Sequence, residues 1–358
     1  MMEFEMMELT KDHVREILSY PPYLCEGYWR VQAIKAADEE FLNRLREVFA
    51  DPEEGYEVHL AAAEALLRLD DSTTVERVAY DPEPRHPSVR VAAVRALGER
   101  YAPTSEVVQR TLHDIWEEGN MWSQERDELK VYYLDALSSS FPAIVQGVDS
   151  IVDTLLALVN FQHEHPRVLE RVIDLLLQTR GRDAASIFAH AFEQCRDTIT
   201  HALLYVRAIG KSGARDYFEV IAGYPDHVRK AHPHAYTDAL AAVIGAAGRL
   251  GQYEWLREIG ERDLFSARTA WLRALGEVAR QHPEHKEKIV AILRSYLIPR
   301  ELGSTAPFKG SLGNLVPASR VGHPPGARVE KPESDRVPCH NAALEVLQSL
   351  GEEVEVQP

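Results

Sequence analysis

The fold of this chain is indicated most clearly by residues 86–98, whose sequence is HPSVRVAAVRALG. The apolar residues of this stretch recur at the spacing of one helical face: Val89, Ala92, Ala93, Ala96 and Leu97. This spacing predicts an amphipathic helix. Pro87 suits its first turn, where an N–H has no partner in any case, and Gly98 suits its end. The small central alanines allow close approach, so we expect packed helices on both sides.

The ten-residue pattern from Val89 to Gly98 recurs along most of the chain. Copies begin at Trp29, Val58, Leu129, Val168, His201, Tyr236, Ala267 and Cys339. Their spacing is roughly 30–40 residues until the last copy, a period typical of helical-hairpin solenoids. We therefore predict an all-α fold, a right-handed α-α superhelix of about nine helical hairpins. It would form a single domain over residues 1–358.

The residues of this pattern resemble those of the HEAT repeats. The resemblance is carried by Val89-Arg90, Ala92-Ala93 and Ala96-Leu97-Gly98, and by the turns Asp51-Pro52 and Asp81-Pro82. The short, alanine-rich form is similar to the bacterial HEAT-like repeats of the phycobilisome-lyase type. The resemblance covers about residues 10–350 and implies stacked hairpins with an extended concave face. It does not imply one activity, because this fold carries many unrelated functions.

Composition narrows the classes of function. The 358 residues carry a net charge of −16, which disfavours general binding to nucleic acid or to anionic membranes. No run of about 18 apolar residues occurs, so no transmembrane helix is expected. Three widely spaced cysteines do not form a disulfide framework, and a reducing cytoplasmic location is the simplest interpretation.

One segment departs from the helical pattern. Residues 299–338 contain seven prolines and five glycines, and we predict a long loop inserted in the last repeat. Its net charge of +2 contrasts with the acidic remainder, so its basic residues are predicted to contact a partner: Lys309, Arg320 and Arg328. Residues 351–358 are predicted to form an acidic tail.

The candidate binding residues occupy fixed positions of the repeated pattern. The second position is basic in four early copies: Arg30, His59, Arg90 and Lys130. The third position is apolar in the same copies, and a further arginine stands at position seven: Val31, Leu60, Val91, Val131 and Arg95. Together they predict an amphipathic concave groove for a protein or peptide. Two alternatives stay open. The basic residues could instead pair with turn carboxylates such as Asp81, and the apolar ones could be incidental surface residues.

No pattern predicts catalysis, a metal site or a cofactor. The histidine pairs are explained by turns before helices, and Cys339 and His340 cannot face each other as neighbours along a helix. The leading hypothesis is a non-catalytic scaffold or adaptor that binds a protein or peptide on its concave face. The alternative is a HEAT-like DNA-base glycosylase or a chromophore lyase. The glycosylase would use Arg30, Arg90, Arg95 and Lys130 as a basic stripe, while Tyr132 and Tyr133, in alanine positions, are expected to be core residues.

Overall fold

Helices account for all regular secondary structure in the part of the chain that the structure describes. This computed structural model describes residues 11–19, 39–81, 86–117, 123–140, 147–262, 264, 267–297 and 336–353. No strand occurs in these ranges, which confirms the all-α prediction. Contacts divide the chain into two compact units, Met1–Thr179 (unit 1) and Arg180–Pro358 (unit 2). The single superhelix predicted over residues 1–358 stays a prediction.

The described part of unit 1 contains nine α-helices. They are α1 (Lys11–Ser19), α2 (Glu39–Ala50), α3 (Tyr56–Arg68), α4 (Ser72–Tyr80), α5 (Pro87–Leu97), α6 (Ser105–Glu117), α7 (Ser123–Ser140), α8 (Val148–Leu158) and α9 (Pro166–Arg180). Consecutive helices pack as the pairs α2–α3, α4–α5 and α6–α7. The second helix of each pair also packs on that of the next, α3 on α5 and α5 on α7. We call α3, α5 and α7 the spine helices of unit 1.

Unit 2 repeats this arrangement. Its helices are α10 (Ala185–Gln194), α11 (Ile199–Ser212), α12 (Phe218–Ala222), α13 (Tyr224–Ala231), α14 (Tyr236–Arg249), α15 (Tyr253–Gly260), α16 (Arg268–Gln281), α17 (Pro283–Ser295) and α18 (Arg336–Ser349). Pairs form between α10 and α11, α13 and α14, α15 and α16, and α17 and α18. The spine helices of unit 2 are α11, α14, α16 and α18, each packed on the next.

Helix α5 shows how the repeated pattern forms the core. Four residues of the predicted stripe are buried: Val89, Ala92, Ala93 and Leu97. Val91 and Val94, off the stripe, are buried as well, because α3, α4, α6 and α7 all pack against α5. A helix covered on most of its surface tolerates apolar residues on more than one face. Gly98 follows at φ 55°, in the region that favours glycine.

The helix boundaries agree with the repeat pattern at most positions, with two differences. Helix α13 was not predicted, because it lies between the copies of the pattern that begin at His201 and Tyr236. Pro225 lies in the first turn of α13, where proline needs no N–H partner. Helix α18 begins at Arg336, inside the predicted loop 299–338, with Pro338 in its first turn. The rest of that loop, and residues 354–358 of the predicted tail, lie outside the described residues.

In unit 2 the spine helices approach each other closely at three glycines. A Cβ atom added to Gly210 would lie 2.7 Å from the Cα of Ala246, and one added to Gly248 would lie 2.7 Å from the Cα of Ala274. A Cβ on Gly276 would overlap the side chain of Val346. Glycine is therefore required at these contacts by space and not by backbone conformation.

Candidate functional site

Arg90, at the second position of the pattern, is a buried structural residue. It is only 1% exposed. One guanidinium nitrogen, Nη1, donates to Asp114 Oδ2 at 2.8 Å and to Thr111 Oγ1 at 3.2 Å, and Nη2 donates to the Asp81 carbonyl at 3.3 Å. These bonds join α5 to α6 and to the preceding turn. The prediction that Arg90 faces a partner is therefore wrong, because its guanidinium is buried against Asp114, Thr111 and the Asp81 carbonyl.

Lys130 occupies the same position of the pattern in α7 and is also buried. Its Nζ lies 2.7 Å from Glu164 Oε1 and 4.8 Å from the centre of the Trp116 ring. The indole N–H of Trp116 donates to the other oxygen of Glu164 at 3.1 Å. Because the side chains of Lys130 and Glu164 are each 8% exposed, this cluster joins α6, α7 and the turn before α9 in the interior. Lys130 therefore does not line a binding surface, and its predicted contact with a partner is wrong.

His59 holds the equivalent place in α3 and is fully buried. Its Nε2 donates to the Asp51 carbonyl at 2.8 Å, which leaves Nδ1 to accept from the Ser88 hydroxyl at 3.1 Å. Ser88 Oγ in turn lies 2.6 Å from His86 Nδ1. Burial lowers the pKa of His59 to about 4, so the ring is neutral at pH 7. The predicted role of His59 at a partner surface is wrong, because its ring bridges α3 and α5 inside unit 1.

The remaining predicted residues divide into three groups. Val91 is buried between neighbouring helices, so its prediction as a surface residue is wrong. Leu60 and Val131 are half-buried and Arg95 is exposed, as a binding face requires. Five residues lie outside the described residues: Arg30, Val31, Lys309, Arg320 and Arg328.

An accessible cluster that the sequence did not predict surrounds Arg95. The rings of Tyr56 and Tyr132 are stacked, with centroids 4.6 Å apart and planes inclined by 12°. The guanidinium carbon of Arg95 lies 4.4 Å from the centre of the Tyr132 ring, and Arg95 Nη1 donates to the Tyr56 hydroxyl at 3.4 Å. We call these three residues the tyrosine–arginine cluster. Each comes from a different spine helix, α3, α5 or α7.

Exposure within this cluster is graded. Tyr56 is buried, Tyr132 is half-buried and Arg95 is exposed. Only Tyr133 of the two adjacent tyrosines is a core residue, so the expectation of a buried Tyr132 is wrong. The sequence did not predict the cluster, because Tyr56 precedes its copy of the pattern and so lies outside the repeated positions.

Charged and apolar residues border the cluster. Glu57 and Glu128 lie close enough to act electrostatically on Tyr132, whose pKa is raised mainly by burial. Leu60 follows Tyr56 by one helical turn and therefore lies on the same face of α3. The surface therefore offers a fixed aromatic base, one exposed guanidinium, an apolar side chain and a carboxylate rim.

Two histidines at the start of α17 make contacts within unit 2. Nδ1 of His282 donates to Glu284 Oε1 at 2.9 Å, and Nε2 of His282 accepts from Arg215 Nη2 at 2.7 Å. The ring of His285 stacks on Tyr253 at 4.1 Å. Within the described ranges, no three histidine, cysteine or acidic side chains converge in a way that could hold a metal ion.

Comparison of the chain with family models, with curated proteins and with solved structures gives no significant match. The resemblance to HEAT repeats therefore depends on the repeat pattern alone. Among the helices that the structure describes, none has both the length and the apolar character of a membrane span.

Proposed function

We propose that the protein is a non-catalytic scaffold or adaptor that binds a protein or peptide segment across the spine helices of unit 1. The observation that carries the proposal is the tyrosine–arginine cluster, in which three successive spine helices each contribute one side chain to a single accessible contact. Leu60, which is half-buried, extends this surface along α3.

The residue types favour protein recognition. Tyrosine and arginine are enriched among the residues that dominate binding energy at protein interfaces. Stacking on Tyr132 and the hydrogen bond to Tyr56 hold Arg95 in place, so a partner loses little conformational entropy by engaging it. Its exposed guanidinium can bind a carboxylate through two parallel hydrogen bonds. We infer a partner segment with an acidic side chain beside an aromatic or aliphatic one.

The proposal includes the architecture expected from the resemblance to HEAT repeats. In that architecture the helices of one layer line an extended concave face, and stacked repeats use such faces to bind partners. The packing of α3 on α5 and of α5 on α7 supports this arrangement within unit 1. The packing of α11, α14, α16 and α18 supports it within unit 2.

The alternative of a DNA-base glycosylase has less support. Its basic stripe required four residues, of which Arg90 and Lys130 are buried in ion pairs and Arg30 lies outside the described residues. Arg95 alone is an exposed member of the stripe in the described part of the chain. A single arginine on a chain of net charge −16 does not supply the phosphate contacts of DNA binding.

Affinity capture with a matched pair of arginine variants tests the proposed function. Tagged full-length protein, Arg95→Ala and Arg110→Ala are each incubated with lysate of the source organism, and captured proteins are quantified by mass spectrometry. Arg110 is the control because its side chain is 40% exposed and pairs with the surface carboxylate of Glu106 in its own helix α6. We expect Arg95→Ala to reduce recovery of a specific partner about tenfold or more, the loss typical of an interface hot spot, and Arg110→Ala to retain it. Equal recovery by the two variants would contradict the proposal.

A further inference from the structure

Unit 2 contains a cleft of about 260 Å³ that the sequence did not predict. Residues of α12 to α15 and of the turn after α15 line it, among them Glu219, Asp226, Tyr236, Trp255, Ile259 and Arg262. Its volume lies below the range of roughly 300–1,000 Å³ that accommodates drug-sized ligands. The cleft therefore suits one amino-acid side chain better than a whole cofactor.

The walls of the cleft are aromatic and fixed. Trp255 packs edge-on against Phe218, with ring centroids 5.3 Å apart and planes inclined by 81°. Phe218 and Ile259 are buried, so the indole stands on a rigid base. Tyr236 is the first residue of α14 and contributes the second half-buried ring. Aromatic faces of this kind attract cations through the ring quadrupole.

The rim of the cleft carries two carboxylates, those of Glu219 and Asp226, both on exposed residues. The chain's own arginines already contact this ring and this rim. The guanidinium carbon of Arg229 lies 5.5 Å from the centre of the Tyr236 ring, and Arg262 Nη1 lies 3.8 Å from Asp226 Oδ2. Both contacts are long and both arginines are exposed, so a better-placed cation could displace them.

We propose that this cleft binds the guanidinium side chain of an arginine in a partner peptide. The cation would lie against Tyr236 and Trp255, with Glu219 and Asp226 as its counter-charges. The net charge of −16 favours the approach of a basic ligand over an acidic one. The inference is independent of the surface proposed on unit 1, since it concerns other residues and the opposite ligand charge.

A pair of small probes tests the charge preference. N-acetyl-L-arginine amide and N-acetyl-L-citrulline amide have nearly the same shape, but only the arginine compound is charged. Each is titrated into the full-length protein while the indole ¹H–¹⁵N signal of Trp255, assigned with Trp255→Phe, is followed by NMR. We expect a saturable shift with the arginine compound and little shift with the citrulline compound. Equal shifts with both probes would overturn the proposal.

Three variants that remove a charge identify the side chains that bind the arginine probe. Glu219→Gln and Asp226→Asn should each weaken binding of the arginine probe about threefold to fivefold, as expected for loss of one exposed ion pair. Arg262→Gln should strengthen binding, because it removes the internal competitor at Asp226. Glu258→Gln, an exposed carboxylate of α15 that does not line the cleft, is the control and should have no effect.

The opposite pattern would identify an anion site. In that case Arg262→Gln would abolish binding, and N-acetyl-L-aspartate amide would shift the Trp255 signal in place of the arginine probe. Because all four exchanged side chains are exposed, the variants should remain folded, and their circular dichroism spectra check this.

Discussion

The two units differ in the residues that hold their spine helices against neighbouring elements. In unit 1 the second position of the repeated pattern holds a buried polar residue in each spine helix: His59, Arg90 and Lys130. In unit 2 the spine helices instead meet at glycines, Gly210 against Ala246 and Gly248 against Ala274. In unit 1 these side chains tie the spine helices to neighbouring helices and turns, whereas the glycines of unit 2 bring spine helices into direct contact.

This difference has energetic consequences. A buried ion pair or imidazole is stable only while each partner keeps its charge or its neutral state, so unit 1 should respond to pH and to loss of a partner. A glycine contact has no charge to lose but no spare volume, so unit 2 should respond to added methyl groups. Each unit is therefore expected to fail under a perturbation that the other tolerates.

Removal of one partner from the buried ion pair should have the largest effect. In Lys130→Met, Glu164 keeps the Trp116 hydrogen bond but loses its cation in the interior. We expect unit 1 to lose about 3–5 kcal/mol of stability. Hydrogen exchange of α7 and α9, followed by mass spectrometry, measures the loss within that unit.

The control for this variant is a lysine of unit 2. Lys286 pairs with Glu352 at 3.2 Å, but its side chain is 38% exposed. Lys286→Met should therefore change local stability by about 1 kcal/mol or less. Similar losses in the two variants would show that the charged contacts of unit 1 are no more important than surface pairs.

Acidification should affect His59 next. The pKa of this ring is about 4 in the folded chain against 6.5 in the unfolded one, so the unfolded state binds more protons as pH falls below 6.5. Stability of unit 1 should fall through the window from pH 6.5 to about 4. The total contribution of this ring is about 3 kcal/mol.

The variant His59→Gln isolates this contribution, because glutamine can bond to the Asp51 carbonyl and Ser88 but does not titrate. Exchange rates of α3 and α5, measured between pH 4 and 7 and corrected for intrinsic rates, should depend less on pH in the variant than in the wild type. An unchanged pH dependence would show that His59 is not the titrating group.

A single methyl group should produce the third effect, in unit 2. Gly248→Ala places a Cβ against the backbone of Ala274, and overpacking of this kind destabilises by about 1–3 kcal/mol. Gly245, in the same helix α14, has no atom within 4 Å of an added Cβ. Gly245→Ala should therefore stabilise α14 by about 0.5–1 kcal/mol, the ordinary gain of alanine over glycine in a helix. Thermal unfolding of the two variants should shift in opposite directions, and a shift in the same direction would contradict the close contact.

The helices could be predicted from the sequence because their causes are local. The helical spacing of apolar residues predicts helices at residues 39–50, 72–80 and 253–260. The structure confirms these helices as Glu39–Ala50, Ser72–Tyr80 and Tyr253–Gly260. Apolar spacing and turn residues lie within the segment itself, so no tertiary information is needed.

The roles of the polar residues could not be predicted in the same way. Arg90 is fixed by Asp114, and Lys130 by Glu164, 24 and 34 residues away along the chain. A basic residue at one helical position points to solvent or to a buried carboxylate depending on partners that the local pattern does not specify. The cleft of unit 2 likewise exists only once α12 to α15 have packed, and α13 itself was missed.

Hydrogen exchange of the full-length protein with its captured partner tests the proposed surface most directly. On binding, we expect slower exchange in the peptides of α3, α5 and α7 that contain Tyr56, Arg95 and Tyr132. The Arg95→Ala variant should show no such change. Protection confined to other helices, with these three unchanged, would contradict it.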